Sequence, residues 1–191
     1  MTEFKRIGYV ITASHCTFAR SLAVLGRLVE DGYDVVPVMS ENAYYTNTRF
    51  FSAEEFSGRV EALCGRRVIH TVTDAEPLGP SDPLDLLIVA PCTGNTLAKA
   101  MQGITDTAAT MAIKAHLRAD RPALFAVASN DALSANLANI ASALSRRSVY
   151  LVPMRQDDPA KKPHSLVAEL ERIPECIEAL ARGEQVRPLF V

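Results

Sequence analysis

The stretch Leu86-Leu87-Ile88-Val89-Ala90-Pro91-Cys92-Thr93-Gly94-Asn95-Thr96-Leu97-Ala98-Lys99 passes from an apolar run into a proline, two threonines and an asparagine. An unalternating apolar run reads as a parallel strand buried on both faces. A strand that empties into small and polar residues and then into a helix puts those residues at the carboxyl edge of an open sheet, where α/β folds bind ligands. Pro91 has a fixed φ and no N–H, while Thr93, Asn95 and Thr96 offer hydroxyl and amide groups suited to the polar edge of a flat heterocycle. The same residues also read as a plain connection that caps the next helix.

Working outward, strands are expected at 4–11, 35–39, 67–71, 123–128 and 149–152. Phe18, Leu22, Leu25 and Val29 recur at helical spacing, so a helix runs from Phe18 to about Asp31-Gly32. Further helices are expected from Ser52 in capping-box fashion, over 94–102, 107–119 and 132–144, and up to Arg182 with a restart at Pro174. The segments 41–51 and 155–163 read as loops, and the prolines of 76–83 make that stretch irregular. Pro37 inside the second strand implies an N–H that no neighbour needs, or a bulge. Alternation of strands and helices at this spacing predicts a single α/β domain over 1–191: a doubly wound parallel sheet of about six strands in a three-layer α/β/α arrangement.

Composition excludes several classes of function. The net charge is −2 with 22% charged residues, so no basic field advertises nucleic acid or an acidic membrane. No segment approaches the roughly 18 apolar residues of a membrane span, and a cytoplasmic protein is expected. Cys16, Cys64, Cys92 and Cys176 form no C-x-x-C pair, and buried free thiols are the ordinary reading, with Cys92 set apart by its place in the candidate loop. None of the four histidines has a second at ligand spacing, so no metal is expected; His70 and His116 read as structural.

In a doubly wound sheet the ends of the first, second and central strands lie side by side. Thr12-Ala13-Ser14-His15 follows the first and offers hydroxyls and N–H groups suited to a phosphate, to which Ser40 adds a hydroxyl from the second. Ser14 as only a helix cap is the alternative reading, and His15 could equally be a solvent-facing first-turn residue. Gly8 stands without the later glycines of G-x-G-x-x-G, which favours a mononucleotide over a dinucleotide. Asn130-Asp131 brings an amide and a carboxylate to the same edge. Arg49 is a cation on a loop that could fold over it, or an ordinary solvated surface residue.

Ala90-Pro91-x-x-x-Asn95-Thr96-Leu97-Ala98-Lys99 followed by Gly103-Ile104-x-Asp106, with Thr12-x-Ser14, resembles the homo-oligomeric flavin-containing cysteine decarboxylase superfamily. Within it the chain more closely resembles the family of bacterial dipicolinate synthase B subunits. That likeness rests on Gly8-x-x-x-Thr12-x-Ser14-His15-Cys16-Thr17, Thr46-x-Thr48-Arg49-Phe50, Ala75-Glu76-Pro77-Leu78-Gly79-Pro80, Pro91-Cys92-Thr93-Gly94-Asn95-Thr96 and Gln156-Asp157-Asp158-Pro159-x-Lys161-Lys162-Pro163.

The resemblance implies a Rossmann-like fold with FMN at the strand ends. Thr12, Ser14, His15 and Ser40 would face the phosphate, and Pro91, Cys92, Thr93, Asn95 and Thr96 the ring or ribityl chain. It also implies a separate nicotinamide-binding A subunit as partner, a homo-oligomer built on trimers, and a part in oxidising dihydrodipicolinate or its hydroxytetrahydro precursor to dipicolinic acid in the mother cell of a spore-forming bacterium. The dicarboxylate would meet Arg49 and Asn130, with Lys161 or Lys162 as a lid. Pro77 stands where the decarboxylases carry a catalytic histidine, and their Pro-x-Met-Asn loop is reduced to Ala128-Ser129-Asn130. A decarboxylase, or a non-catalytic partner of the A subunit, is the alternative.

Overall fold

A computed structural model describes residues 3–79 and 81–191. Its centre is β3 (Leu86–Cys92), buried along its whole length as the unbroken apolar run requires. β1 (Arg6–Ile11) pairs with it in parallel on one side and with β2 (Asp34–Met39) on the other. On its far side β3 pairs in parallel with β4 (Ala123–Ser129), and β4 with β5 (Val149–Leu151). A 3₁₀ turn at His15–Thr17 leads into α1 (Phe18–Glu30), which connects β1 to β2; α5 (Gly94–Gln102) and α6 (Ala108–Leu117) connect β3 to β4. Because the chain leaves β1 for β2 and then returns to β3 on β1's other side, strand order reverses between β1 and β3, and the crevice of an open α/β sheet opens at their carboxyl ends.

The α/β sheet and its flanking helices are as expected, with one departure from an all-parallel arrangement. β6 (Met154–Arg155) and β7 (Leu166–Ala168) pair antiparallel, and β7 lies antiparallel against Ala128 and Ser129 at the end of β4. Strands of two and three residues leave no periodic signal in a sequence. Their effect is to bring the connecting loop, 156–165, to the carboxyl edge of β4.

Other differences have local causes. The expected strand at 67–71 is a single bridge from Val38 to Ile69, because Gly65 ends α3 (Ala53–Cys64) just before it and Thr71 caps α4 (Val72–Ala75) just after. That bridge uses the Pro37 carbonyl as acceptor from the Ile69 N–H at 3.0 Å. A residue's N–H and C=O point the same way in a strand, so the N–H that Pro37 lacks would have faced this nearly open edge.

Segment 76–83 is not wholly irregular: Glu76–Leu78 forms a 3₁₀ turn with Pro77 in its first positions, where an N–H is not needed. Pro80 lies outside the described residues. Residues 41–45 form a short helix, α2 (Glu41–Tyr45), within the expected loop, and α7 (Leu137–Leu144) begins later than Ala132 because 131–136 turn around the Asp131 carboxylate. A 3₁₀ turn at Leu170–Arg172 and α8 (Ile173–Leu180), with proline in its first turn, end the chain's regular structure. The buried side chains form one contiguous cluster on both faces of the sheet. No helix among the described residues is long and apolar enough to cross a membrane.

Candidate functional site

The reversal point is tied shut by one side chain. Thr12, fully buried, donates its hydroxyl to the Pro91 carbonyl at 2.8 Å and accepts from the Thr93 N–H at 2.9 Å, while its own N–H reaches the same carbonyl at 3.2 Å. Behind it the Ser21 hydroxyl donates to Ala90 O at 2.7 Å, and the buried Tyr9 phenol donates to Ser21 O at 3.1 Å. The ends of β1 and β3 and the start of α1 are therefore one hydrogen-bonded unit. Thr93 caps α5, accepting from Thr96 N–H at 3.3 Å, so the positive end of the α5 dipole opens on the cleft.

Two cavities meet at this unit and share Ala13, Thr93 and Asn95. The larger, about 500 Å³, is lined by Ser14, His15, Cys16, Gly94, Ser129, Asn130, Asp131, Asp157 and Lys162 among others. The smaller, about 320 Å³, is lined by Ser40, Glu41, Asn42, Thr96, Lys99, Asp106 and Thr107. Both fall within the roughly 300–1,000 Å³ typical of small-molecule sites.

The residues expected at the cofactor thus divide. Ser14, His15, Ser40, Thr93, Asn95 and Thr96 line one cavity or both. Thr12, Pro91 and Cys92 are buried behind the wall and line neither; they hold it in place. Burial pushes the Cys92 thiol well up, and Sγ donates to the Thr93 carbonyl at 3.6 Å. The thiol at the cleft is instead the exposed Cys16. Asn130 lines the larger cavity; Arg49 does not, its guanidinium resting 4.8 Å from the centre of the Phe50 ring on an exposed loop. Lys162 lines the cavity and Lys161 does not.

His15 packs edge-on against Phe18 at 4.9 Å, and its Nδ1 is buried without a partner. Burial lowers its pKa, which favours the neutral ring. Asp131 is held low as well: the Ser129 hydroxyl donates to one carboxylate oxygen, and the Asn136 amide reaches both at 2.9 Å. This network explains Gly94, where a Cβ would collide with both Asn136 Nδ2 and Ser129 Oγ.

At the smaller cavity Lys99 Nζ donates to Asp106 at 2.8 Å, and Glu41 Oε1 accepts from Ala108 N–H at 3.1 Å while Oε2 is buried without a partner. Local sequence singles out none of Cys16, Glu41, Asp106 or Asp157 as a site residue. Only their places in the quoted motifs or beside Ser40 could have marked them.

Residues 1–179 match the Flavoprotein family. The chain belongs to that family. The flavoprotein is 40% identical over 187 residues to the B subunit of dipicolinate synthase from Bacillus subtilis (strain 168), across 98% of this chain and 94% of that protein. Its fold superposes on the crystal structure of the dipicolinate synthase B subunit from Bacillus halodurans C with a TM-score of 0.89 and 37% identity, covering 98% of this chain and 96% of that one. A dodecameric FMN-dependent UbiX-like decarboxylase from Escherichia coli O157:H7 is more distant, at TM-score 0.63 and 27% identity over 77% of this chain and 79% of that one.

Proposed function

We propose that this flavoprotein binds FMN in the cleft between β1 and β3 and serves as the B subunit of a dipicolinate synthase, taking part with an A subunit in oxidising dihydrodipicolinate, or its hydroxytetrahydro precursor, to dipicolinic acid. The observation that carries the reading is the polar lining at the strand-order reversal. Hydroxyls from Ser14, Ser40 and Thr93, the Asn95 amide and the α5 N-terminus converge on two contiguous cavities. The buried, unpartnered His15 Nδ1 and Glu41 Oε2 are open groups that a ligand with phosphate and hydroxyls would complete. The donor set therefore fits a flavin mononucleotide.

When bound, the flavin supplies an acceptor for the two electrons that aromatisation removes. The chain's own residues bind and orient. Ser14, His15 and Ser40 take the phosphate end, Thr93, Asn95 and Thr96 the ribityl chain or ring edge, and Thr12, Pro91 and Cys92 fix that wall from behind. Asn130 donates to the dicarboxylate; Arg49 reaches it only across a contact between copies, which a trimer-based homo-oligomer supplies. Pro77 in the place of a catalytic histidine weighs against decarboxylation. The B. subtilis and B. halodurans relatives, both dipicolinate synthase B subunits, support the same assignment, and a place in the mother-cell cytoplasm of a spore former is part of this proposal.

The test is to mix flavin-loaded protein with freshly made substrate under anaerobic conditions, with and without the A subunit. Loss of the flavin's visible absorbance together with formation of dipicolinate is expected. Full-rate synthesis by the A subunit alone, with no spectral change here, would overturn the redox role.

A further inference from the structure

The loop between β6 and β7 is tightly built. Gln156 Nε2 donates to Pro163 O at 2.8 Å, Lys162 N–H to Asp158 O at 2.7 Å and Lys161 N–H to Asp158 Oδ1 at 3.1 Å. Leu133 N–H, in the turn after β4, donates to His164 O at 2.9 Å and pins the loop to the strand end. The loop presents Asp157 and Lys162 to the larger cavity, where Lys162 is, among the described residues, the one lysine or arginine lining the wall. Its ammonium is bonded to Asp157 Oδ2 at 2.5 Å.

A pair of this kind, with the lysine side chain half exposed, adds little to stability. Its position is more telling than its strength. The ammonium is held at a cavity whose other carboxylate, Asp131, is already engaged by Ser129 and Asn136. Exchanging one carboxylate for another on Lys162 leaves the charge on the ammonium compensated throughout, and the released Asp157 turns to water on an exposed loop.

We infer that Asp157 is a resident counter-ion that a ligand carboxylate displaces, so that Lys162 is the specificity-determining cation of this chain for a dicarboxylate. The inference rests on the proposed substrate class and deepens it. It assigns one carboxylate to Lys162, leaves the other to Asn130 or a neighbouring copy's Arg49, and relieves Lys161 of any role. It also sets the sign of an unusual effect, because removing Asp157 removes a competitor and strengthens binding.

The experiment is calorimetric titration of FMN-loaded protein with pyridine-2,6-dicarboxylate and with pyridine-2-carboxylate, the flavin content of each variant being read from its absorbance. Lys162→Ala should weaken dicarboxylate binding about ten- to a hundredfold, the worth of a charge-assisted bond, and narrow its advantage over the monocarboxylate. Lys162→Arg should restore it, Asp157→Asn should tighten it, and Lys161→Ala should leave it alone, all with flavin content unchanged. Wild-type binding that survives Lys162→Ala, or that weakens on Asp157→Asn, overturns the inference and leaves the substrate class standing. Flavin-loaded wild-type protein that binds neither acid overturns both.

Discussion

On the strand-end side of the cleft, Thr12, Pro91 and Cys92 are buried and uncharged, and the Thr12 hydroxyl ties β1 to the backbone at the end of β3; on the loop side, Asp157 and Lys162 are charged, partly exposed and bonded to each other. The first wall is continuous with the core, so changing it costs folding energy. The second rests on a loop held by its own turns and one tie to residue 133, and changes there cost the scaffold little. On the proposed function, this division would put the cofactor against the rigid wall and the substrate against the loop.

The largest effect is expected of Thr12→Val. The methyl replaces a hydroxyl that serves both the Pro91 carbonyl and the Thr93 N–H, leaving the buried Thr93 N–H unsatisfied and the carbonyl with only the Thr12 N–H, at a cost on the order of 3 kcal/mol. Urea unfolding should show that loss, and flavin retention should fall with it. If the midpoint does not move, the wall is not the rigid unit described.

Acid should reach the scaffold next. His116 is fully buried, donates from Nε2 to Pro122 O at 2.8 Å at the entry to β4, and burial lowers its pKa from 6.5 to about 4. The unfolded chain binds this proton more readily, so the stability it confers is complete above pH 6.5 and falls by about 3 kcal/mol as pH drops to about 4. Denaturation midpoints across that range, compared with those of His116→Gln, should lose the His116 part of the slope in the variant. Identical slopes would remove His116 from the account.

Gly94→Ala tests the same wall more gently. The added Cβ must displace Ser129 Oγ and Asn136 Nδ2, an overpacking cost of about 2 kcal/mol. Unfolding should report it, together with weaker flavin binding through the disturbed α5 N-terminus. The smallest effects belong to the loop side, where Lys162→Ala should leave the unfolding midpoint unmoved. At the meeting of the walls, Cys16 should be the first thiol to react with a small maleimide, and FMN should slow it; labelling that FMN does not change would place the cofactor elsewhere.

Leu86–Val89 followed by Pro91–Thr96 was enough to locate the central strand, α5 and the reversal point, because a buried parallel strand and a capped helix each leave a local signature. The residues that line the cleft from these elements were legible for the same reason. What stayed hidden depended on contacts between distant segments. That Thr12 and Cys92 face inward follows from strand register, which only pairing defines. The antiparallel β6–β7 pair, too short for periodicity, brings Asp157 and Lys162 to β4. Arg49 is expected at the pocket from its charge and its place on the loop after the second strand, but the path of that loop depends on distant contacts, and its guanidinium lies over Phe50.

The most direct measurement is titration of the purified, flavin-stripped protein with FMN, followed by quenching of flavin fluorescence. Saturable binding at one FMN per chain, weakened by Asn95→Ala and by Gly94→Ala far more than by Lys162→Ala, is the predicted result. No quenching at saturating FMN, in protein that carries no visible absorbance as purified, would contradict the account.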